Sequence, residues 1–459
     1  MDNHLSQKFE EIVGKENVLA SEVDRHSYSY DAAVLPPKLP ALAVRPETPE
    51  ALGRVVKTCN ELGLPLTVRG SGTNLSGGTI PSPGGVVALT GALNKIIEIN
   101  EADMYAVVQT GVVTAKFATE VAKRGLFYPP DPGSQAVSTI GGNVAENAGG
   151  LRGLKYGVTK DYVMGLSLYD VDGELVKTGS RTVKCVTGMN LHGLMVGSEG
   201  TLGVFNEIIL KLVPPPKASK AMMAVFDDLG KASETVAAII AAKIVPATLE
   251  YMDDFTIKTV EDFAHAGLPT DAKALLLIEV DGHPAQVEEE ASEVEAICKR
   301  VGATRIHVAT DAAERNKVWE ARRAALSALA RVRPTTVLED ATVPRSQIPA
   351  MVGALEKIAS KFKLTIGTFG HAGDGNLHPT ILTDKRDHEE WKRVEAAIDE
   401  IFDVALSLGG TLSGEHGIGT AKSKYMAKEV GMGSILYARK LKKALDPKGI
   451  LNPGKITGE

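Results

Sequence analysis

The sequence predicts an α+β protein with two main domains. The chain has 459 residues, and at about 150 residues per domain this length suggests two or three domains. Up to about residue 214, short β-rich runs and glycine clusters dominate. Beyond Pro214-Pro215-Pro216, apolar strands alternate with long charged helices. The triple proline therefore marks the predicted domain boundary.

Individual elements follow from the spacing of the apolar residues. Thr48 can cap a helix and Pro49 suits its first turn, and an apolar strand at 64–68 runs into a glycine-rich segment. Further strands are predicted near 86–90, 106–113 and 163–171, with a helix around 115–123. The second half is predicted to contain strands at 274–280, 304–308 and 364–369 and helices around 286–301, 312–332, 347–362 and 389–408.

Composition excludes several classes of partner. The 51 basic and 57 acidic residues give a net charge of −6, which favours neither nucleic acid nor an anionic membrane surface. No apolar run is long enough for a membrane span, and the polar N-terminus does not look like a secretory signal. Cys59, Cys185 and Cys298 are far apart, which excludes a cysteine-ligated iron–sulfur cluster within the chain. We therefore expect a cytoplasmic protein.

Three glycine-rich clusters in the first half indicate a cofactor that carries phosphate. They cover residues 69–78, 129–150 and 197–203. Glycine allows backbone N–H groups to approach a pyrophosphate closely. Each cluster alone is equally consistent with tight turns, but three together favour a cofactor. Leu75 stands where a dinucleotide fingerprint has its third glycine, and no GxxxxGK[ST] occurs, so Rossmann and P-loop sites are excluded.

The motifs, taken in order, resemble one family. They are VRGSGTNLSGG, PPDPGS with STIGGNVAENAGGLRGLKYG, GSEGTLG, HAGDGNLHP, GEHGIG and LNPGKI. With these motifs the chain resembles PCMH-type FAD enzymes of the vanillyl-alcohol oxidase superfamily, and among them D-lactate, glycolate and D-2-hydroxyglutarate dehydrogenases. The resemblance implies a PCMH-type FAD-binding domain, an α+β cap domain typical of FAD-linked oxidases, and a C-terminal segment that returns to the FAD domain.

The resemblance also implies domain limits and cofactor contacts. The domains are a helical leader at 1–37, the FAD-binding domain at 38–217, the substrate or cap domain at 218–410 and the returning segment at 411–459. Relatives that attach FAD covalently commonly have a histidine where this chain has Thr73, so we expect non-covalent FAD. The implied FAD contacts are Arg69, Gly70, Ser71, Gly72, Thr73, Asn74, Ser76, Gly77, Pro130, Asp131, Ser134, Ser138, Gly141, Gly142, Asn143, Asn147, Gly149, Gly150, Glu199, Gly200, Leu202 and Asn452.

Histidines in two glycine-flanked motifs indicate a metal site. A flat strand would place His371 and His378 on opposite faces, whereas a turn at 373–375 can bring both rings to one side. Two imidazoles and one carboxylate suit zinc, manganese or ferrous iron. An isolated histidine is more often buried and hydrogen-bonded without a metal. The resemblance places the ligands at His371, His378 and Glu415 and leaves His416 to act as a base.

Two rival metal ligands are assigned other roles. Asp374 is expected to make the backbone hydrogen bonds of an Asx turn. His388-Glu389-Glu390 lacks the HExxH spacing and is expected to begin a solvated helix.

The implied reaction is the oxidation of a 2-hydroxy acid, with hydride transfer to flavin N5. A metal ion would lower the pKa of the substrate hydroxyl, and His416 would accept its proton. The substrate carboxylate calls for a guanidinium clamp. The resemblance assigns this role to Arg322, whereas Arg323 fits a solvated helix charge. Asn376 is expected to donate a hydrogen bond to the substrate.

Specificity and partners are also predicted. Dicarboxylate-specific relatives carry threonine and lysine where this chain has Leu326 and Leu338, and apolar groups cannot compensate the desolvation of a second carboxylate. We therefore expect D-lactate or glycolate as substrate. Electrons should pass to an electron-transfer flavoprotein or an iron–sulfur subunit, in a hetero-complex or from a homodimer. The alternatives are a D-2-hydroxyglutarate dehydrogenase, a synthase of the alkyl-dihydroxyacetone-phosphate (alkyl-glycerone-phosphate) type, and a non-enzymatic FAD-containing subunit.

Overall fold

The chain forms two compact units. The computed structural model describes residues 3–458. The first unit contains residues up to 149, residues 158–215 and residues from 415 onward, and the second contains residues 150–157 and 216–414. The segment 150–157 lies inside the predicted FAD-binding domain at 38–217 but belongs to the second unit. Within residues 3–458, no helix has both the length and the apolar character needed to cross a bilayer.

The first unit carries two sheets with helices packed against them. Strands β1 to β4 form a sheet in the order β1-β2-β4-β3, and strands β5 to β9 form a sheet in the order β5-β6-β9-β7-β8. The elements are α1 (Asn3–Val13), β1 (Val18–Leu19), α2 (Glu22–Ser27), β2 (Leu42–Val44), α3 (Pro49–Leu62), β3 (Leu66–Arg69), β4 (Val86–Leu89), β5 (Ile96–Asn100), β6 (Tyr105–Gln109), α4 (Thr114–Ala122), α5 (Ile140–Glu146), α6 (Gly153–Tyr156, a member of the second unit), β7 (Val163–Tyr169), β8 (Leu175–Gly179), α7 (Leu191–Met195) and β9 (Val204–Lys211).

The second unit is built on one eight-stranded sheet. Its order is β13-β10-β12-β11-β16-β17-β14, and β15 also pairs with β17. The elements are β10 (Ala218–Phe226), α8 (Leu229–Ala241), β11 (Thr248–Asp253), α9 (Asp254–Ala264), β12 (Ala274–Gly282), α10 (Pro284–Val301), β13 (Arg305–Val308), α11 (Ala312–Arg323), α12 (Ala325–Leu329), β14 (Thr335–Leu338), β15 (Ala341–Thr342), α13 (Ile348–Phe362), β16 (Thr365–His371), β17 (Asn376–Thr383) and α14 (His388–Ser407).

The C-terminal segment completes the first unit. After α15 (Met426–Leu445), the chain runs beside β3, where the Leu66 amide donates to the Ile450 carbonyl at 2.7 Å and the Asn452 amide donates to the Leu66 carbonyl at 2.8 Å. Ile450 and Leu451 are buried in the same apolar core as Leu52 and Val86. The segment therefore contributes to the first sheet and to its core.

Most of the predicted strands and helices are present, with three differences. The predicted helical leader at 1–37 contains strand β1, which pairs with β2. Thr48 caps α3 by accepting a hydrogen bond from Ala51, as predicted. The helix predicted over 312–332 is two shorter helices that meet at Ala324. The predicted loop positions within 140–146 form α5, because the Thr139 side chain caps its start and Asn147, with a φ of 54°, ends it.

Candidate active site

The first glycine cluster leaves its backbone amides open. It follows β3 directly, and Ser76, Gly77 and Gly78 are buried. Among residues 3–458, no acceptor takes a hydrogen bond from the backbone amides of residues 71–78. Buried N–H groups nearly always find a partner. A run of amides without a protein acceptor is therefore suited to an anionic ligand such as a pyrophosphate.

Gly72 allows this loop to cover the Arg69 side chain. Its φ of 68° favours glycine, and a Cβ atom here would collide with the Arg69 guanidinium. Arg69 is buried and donates to the Tyr30 carbonyl at 2.6 Å. The guanidinium thus supports the loop from within the first unit.

Several predicted FAD residues use their side chains to shape the loops. Asn74 donates to Asp31 at 2.6 Å, Asn143 donates to Thr114 at 2.8 Å, and the Asn147 side chain accepts from the Lys160 amide at 2.9 Å. Ser71 donates to the Val137 carbonyl, which joins the first and second clusters. Ser138 and Thr114 also share a hydrogen bond. Of the remaining predicted contacts, Gly141 and Gly142 lie in α5, and Gly150 lies at the start of the 150–157 segment. The others lie in the glycine clusters of the first unit: Gly70, Thr73, Pro130, Asp131, Ser134, Gly149, Gly200 and Leu202.

Glu199, in the third glycine cluster, holds the loop of residues 415–420, called here the His416 loop. Its two carboxylate oxygens accept hydrogen bonds from the Ile418 and Gly419 amides, each at 2.7 Å. The Thr420 amide donates to the Ser76 carbonyl at 3.0 Å. The His416 loop is therefore fixed to the first and third glycine clusters within one unit.

Glu415 and His416 also lie on this loop. His416 Nε2 is 3.9 Å from Glu415 Oε1. The Glu415 carboxylate packs on Gly149, where a Cβ atom would lie 2.7 Å from Oε2. The predicted ligand and the predicted base are thus held beside the second glycine cluster.

Asn452 links two of the clusters through its side chain. Its Nδ2 donates to the Gly78 carbonyl at 2.9 Å and to the Glu199 carbonyl at 2.7 Å, and its Oδ1 accepts from Thr67 at 3.2 Å. Asn452 is buried and has a φ of 41°. Both of its amide hydrogens are directed to protein carbonyls, so the structure gives Asn452 a positioning role, and its predicted contact with FAD stays a prediction.

Buried carboxyl groups lie near the His416 loop. Burial, followed by the nearby charge of Glu199, holds the pKa of Glu146 well above the ordinary value. Burial likewise raises the pKa of Glu199, while the Ile418 and Gly419 amides oppose the shift. Burial lowers the pKa of Lys455 to about 8. Glu146, the last residue of α5, was not identified from the sequence.

In the second unit, the predicted histidines lie on one hairpin. Strands β16 and β17 are joined at Ala372–Gly375, with Phe369 opposite His378 and His371 opposite Asn376. Directly opposite residues face the same side of a sheet, so both imidazoles share one face. The ring centroids are 5.0 Å apart and the rings are perpendicular, and the nearest ligand nitrogens lie within 4.8 Å of each other. The predicted turn is confirmed.

Glu250 is a buried partner of this face that the sequence did not identify. Tyr251 pairs with Gly370 and Met252 with Phe369, so Glu250 falls opposite His371 when the register is continued. Its Oε1 is 2.8 Å from His371 Nδ1, and its Oε2 is 2.5 Å from Arg322 Nη2. Burial raises the pKa of Glu250, but Arg322 and His371 outweigh it and the net pKa lies below the ordinary value.

Arg322 is buried beside the same face, and its neighbour is not. The Arg322 guanidinium carbon is 4.7 Å from the centre of the Phe369 ring, whereas Arg323 is exposed. Within residues 3–458, the buried Nε of Arg322 donates no hydrogen bond. Leu326 and Leu338 pack against the core that contains Phe369. The Arg322 guanidinium therefore has a hydrogen-bond donor, Nε, that no protein acceptor uses within residues 3–458, and it lies against an aromatic ring.

Asn376 and Asp340 complete this face. Asn376 Oδ1 accepts a hydrogen bond from Thr342 at 3.0 Å, which orients its Nδ2 as the remaining donor group. Asp340 is buried, accepts from Ser413 at 2.7 Å, and lies 3.9 Å from His378 Nδ1. Asp374 Oδ1 accepts from the Asn376 amide at 3.2 Å, which confirms the predicted Asx turn. His388 begins α14 after the Asp387 cap, as predicted.

The residues of each unit fit the groups predicted from the sequence. The open amides of 71–78 fit the pyrophosphate of FAD. In the second unit, a carboxylate faces Nδ1 of each histidine, Glu250 for His371 and Asp340 for His378. A carboxylate at Nδ1 is the usual partner of a metal-ligating imidazole, and at His371 the distance of 2.8 Å is that of a hydrogen bond. His371 and His378 belong to the second unit, whereas Glu415 and His416 belong to the first.

Comparison with known proteins identifies the family. Residues 40–179 match the profile of an FAD binding domain, and residues 215–456 match that of FAD linked oxidases, C-terminal domain. The chain belongs to the FAD-linked oxidase family. This FAD-linked oxidase is thus an FAD-dependent oxidoreductase, and its predicted fold class, with a C-terminal segment that returns to the FAD-binding unit, is confirmed.

Curated relatives of this FAD-linked oxidase match over nearly all of its length. It is 50% identical over 446 residues to the glycolate oxidase subunit GlcD of Bacillus subtilis, covering 97% of this chain and 95% of the relative. It is 39% identical to GlcD of Escherichia coli K12, covering 91% and 83%. It is 34% identical to a D-lactate dehydrogenase of Anaerostipes hadrus, covering 98% and 96%.

Solved structures share the fold at low sequence identity. A p-cresol methylhydroxylase has a TM-score of 0.83 at 20% identity, covering 100% of this chain and 97% of that chain. An alkyldihydroxyacetonephosphate synthase has a TM-score of 0.77 at 18% identity, covering 99% and 85%. At this level of identity the likeness concerns the fold alone.

Proposed function

We propose that this FAD-linked oxidase converts a small D-2-hydroxy acid, D-lactate or glycolate, to its 2-oxo acid. The observation that carries the proposal is the shared face of Arg322, His371 and His378, which combines a buried guanidinium with two imidazoles. The relatives named as glycolate oxidase subunits and as a D-lactate dehydrogenase support this substrate class. Leu326 and Leu338 disfavour a second substrate carboxylate, which ranks D-2-hydroxyglutarate below the shorter acids.

The cofactor is FAD, which we propose to be bound without a covalent link because Thr73 has no nucleophilic imidazole. The proposed metal is Zn, Mn or Fe, bound by His371 and His378 and, on the sequence resemblance, by Glu415. Bound FAD would accept the α-hydrogen as a hydride, and a bound divalent cation would lower the pKa of the substrate hydroxyl.

Each proposed residue has a separate task at the substrate. Arg322 binds the carboxylate, since its Nε and the donors not used by Glu250 can form two hydrogen bonds. Asn376 donates from Nδ2, because Thr342 already occupies its oxygen. His416 accepts the hydroxyl proton, and the hydrogen bonds from its loop to Glu199 and Ser76 hold it at the glycine clusters.

The reduced enzyme is proposed to pass its electrons to another protein. Cys59, Cys185 and Cys298 are free thiols in this chain, so an iron–sulfur centre would have to lie on a partner. Relatives at 50% and 39% identity are named as subunits, which supports a hetero-complex with an iron–sulfur subunit or an electron-transfer flavoprotein. The thiols also fit a cytoplasmic enzyme.

A substrate panel tests the proposal. Purified enzyme is mixed anaerobically with D-lactate, glycolate, L-lactate or D-2-hydroxyglutarate, and the visible flavin absorbance is followed. D-lactate or glycolate should bleach the flavin, and Arg322→Met should raise the KM for them. Arg323→Met is the matched control, because Arg323 is the exposed neighbour on the same helix. Lack of bleaching with every 2-hydroxy acid overturns the proposal.

Histidine variants test the metal and the base separately. His371→Asn and His378→Asn should remove the metal measured by elemental analysis. His416→Asn should retain metal and FAD but lower kcat by about 10²–10⁴-fold. The exposed His388 at the start of α14 gives the control His388→Asn. If fresh wild-type enzyme contains no divalent metal and chelators do not change its activity, the metal assignment is wrong.

A further inference from the structure

Glu250 lies between the buried Leu249 and Tyr251 on strand β11, inside the sheet. Strand β11 pairs with β12 on one side and β16 on the other, and the Glu250 side chain is 0% exposed. An ionised carboxylate at such a position strongly destabilises the fold unless it is paired. Glu250 is paired twice, and its two partners are the residues assigned to metal and substrate.

We propose that Glu250 is a positioning residue that orients the metal-binding imidazole of His371 and the substrate-binding guanidinium of Arg322 at the same time. The inference rests on the proposed function, because it gives Glu250 a role through those two residues. Glu250 touches neither the substrate nor FAD in this assignment.

The contact with His371 fixes the tautomer of its ring. Oε1 of Glu250 lies 2.8 Å from Nδ1. An ionised carboxylate can only accept, so Nδ1 carries the hydrogen. Nε2 then presents its lone pair, as a metal ligand must. Loss of such an outer partner typically lowers metal affinity or activity by about 10–100-fold.

The contact with Arg322 fixes the position of the guanidinium. Oε2 of Glu250 lies 2.5 Å from Nη2, and the Phe369 ring lies under the guanidinium. Arg322 has more donors than Glu250 can accept, so the pairing leaves others for a substrate carboxylate. Because Phe369 is opposite His378 in the hairpin, the same face sets the guanidinium relative to both imidazoles.

A glutamine at this position cannot serve both partners. If its oxygen accepts from His371, its NH2 group faces the donors of Arg322. If it is turned the other way, its NH2 group donates to Nδ1 and the hydrogen of the ring moves to Nε2, which removes the metal-binding lone pair. Glu250→Gln should therefore either raise KM with the metal retained, or lower metal affinity, by about 10–100-fold.

The test measures metal affinity by titration of the metal-free holo-flavoprotein with Zn²⁺ and Mn²⁺, and KM and kcat separately. Glu279→Gln is the matched control, because Glu279 accepts a hydrogen bond at 2.6 Å from Trp319, which lies on the helix of Arg322. Within residues 3–458, the ion pairs of Arg322 and His371 are made with Glu250 and not with Glu279. The control should keep wild-type metal affinity and KM. Wild-type values of both in Glu250→Gln would overturn the inference.

A double variant separates positioning from stability. Glu250→Gln combined with Arg322→Met removes both members of the ion pair and the conflict between donors, so the glutamine oxygen is free to accept from His371. Metal affinity should recover to within about threefold of wild type, while KM stays as high as in Arg322→Met alone. Circular dichroism checks that the double variant is folded. If the folded double variant does not recover its metal affinity, the inference is overturned.

The outcome is distinguishable from failure of the proposed function. If wild-type enzyme binds no metal and no 2-hydroxy acid bleaches its flavin, the proposed function is wrong. If wild-type enzyme does both and Glu250→Gln matches it, only the role of Glu250 is wrong.

Discussion

Replacement of Asn452 is expected to weaken the first unit and its hold on FAD together. The side chain makes hydrogen bonds to the Gly78 carbonyl at 2.9 Å, the Glu199 carbonyl at 2.7 Å and Thr67 at 3.2 Å. Two of these bonds join separate glycine clusters. Asn452→Ala therefore removes the only side chain that the structure, within residues 3–458, shows donating to both of those carbonyls.

The expected size follows from these contacts. Each hydrogen bond contributes about 1 kcal/mol net, which gives about 3 kcal/mol for the three. The φ of Asn452 is 41°, a left-handed conformation that costs alanine about 1 kcal/mol more than asparagine. The free energy of unfolding should fall by about 4 kcal/mol. FAD affinity should fall about tenfold or more, because the loops are no longer held in their binding conformation.

Urea unfolding of the apoprotein gives the stability, and fluorescence titration with FAD gives the affinity. Asn60→Ala is the control, since the Asn60 side chain makes a single exposed hydrogen bond, to Asp172 in the same unit. Asn452→Gly separates the backbone contribution from the hydrogen bonds, because glycine tolerates the positive φ. A loss below about 1 kcal/mol with unchanged FAD affinity would refute the reasoning, since three buried hydrogen bonds cannot cost so little.

Three further predictions concern Gly417, the ionisation of Glu146 and the segment 150–157. Gly417→Ala should lower the free energy of unfolding by roughly 1–3 kcal/mol and lower kcat, because Gly417 has a φ of 82° and a Cβ atom would meet Glu146 and Glu199. Urea unfolding and steady-state kinetics check this. Gly433→Ala is the control, because Gly433 lies in α15 and a Cβ atom there meets nothing within 4 Å. Since the folded-state pKa of Glu146 is raised, the free energy of unfolding should fall as pH rises from the ordinary carboxyl pKa towards the raised one; Glu146→Gln should flatten this fall, whereas the exposed Glu289→Gln should not. Asp281→Asn should accelerate tryptic cleavage at Lys155 about tenfold or more, because Lys155 and Tyr156 each bind Asp281 at 2.6 Å; an unchanged cleavage rate counts against it.

The hairpin of His371 and His378 could be predicted because the relevant information is local. Two glycines and an aspartate between the histidines fix a turn, and the turn brings residues at an odd separation to one face. The Asx hydrogen bond of Asp374 follows from the same few residues. Turns and hydrogen bonds between residues this close in sequence can be predicted without knowing the rest of the fold.

Glu250 could not be found in the same way. Its partners His371 and Arg322 are 121 and 72 residues away along the chain, and only the pairing of β11 with β16 brings the first of them into contact. The available signal was a single acidic residue in the apolar run around Leu249 and Tyr251. A charge at a fully buried position such as Glu250 requires a partner, but strand order decides which partner it finds.

The glycine motifs raise a related point about what the family resemblance encodes. Asn74, Asn143, Asn147 and Glu199 direct their side chains into hydrogen bonds with other parts of the first unit. The groups left open for an anion are backbone amides of residues 71–78. Polar side chains in these motifs therefore fix the shape of the loops, and we expect the backbone to provide the contact with phosphate. Substitutions that preserve the shape of these loops should then preserve FAD binding, even where they change the motif sequence. Substitutions that alter the shape of the loops should weaken FAD binding, even where the substituted side chain does not contact FAD.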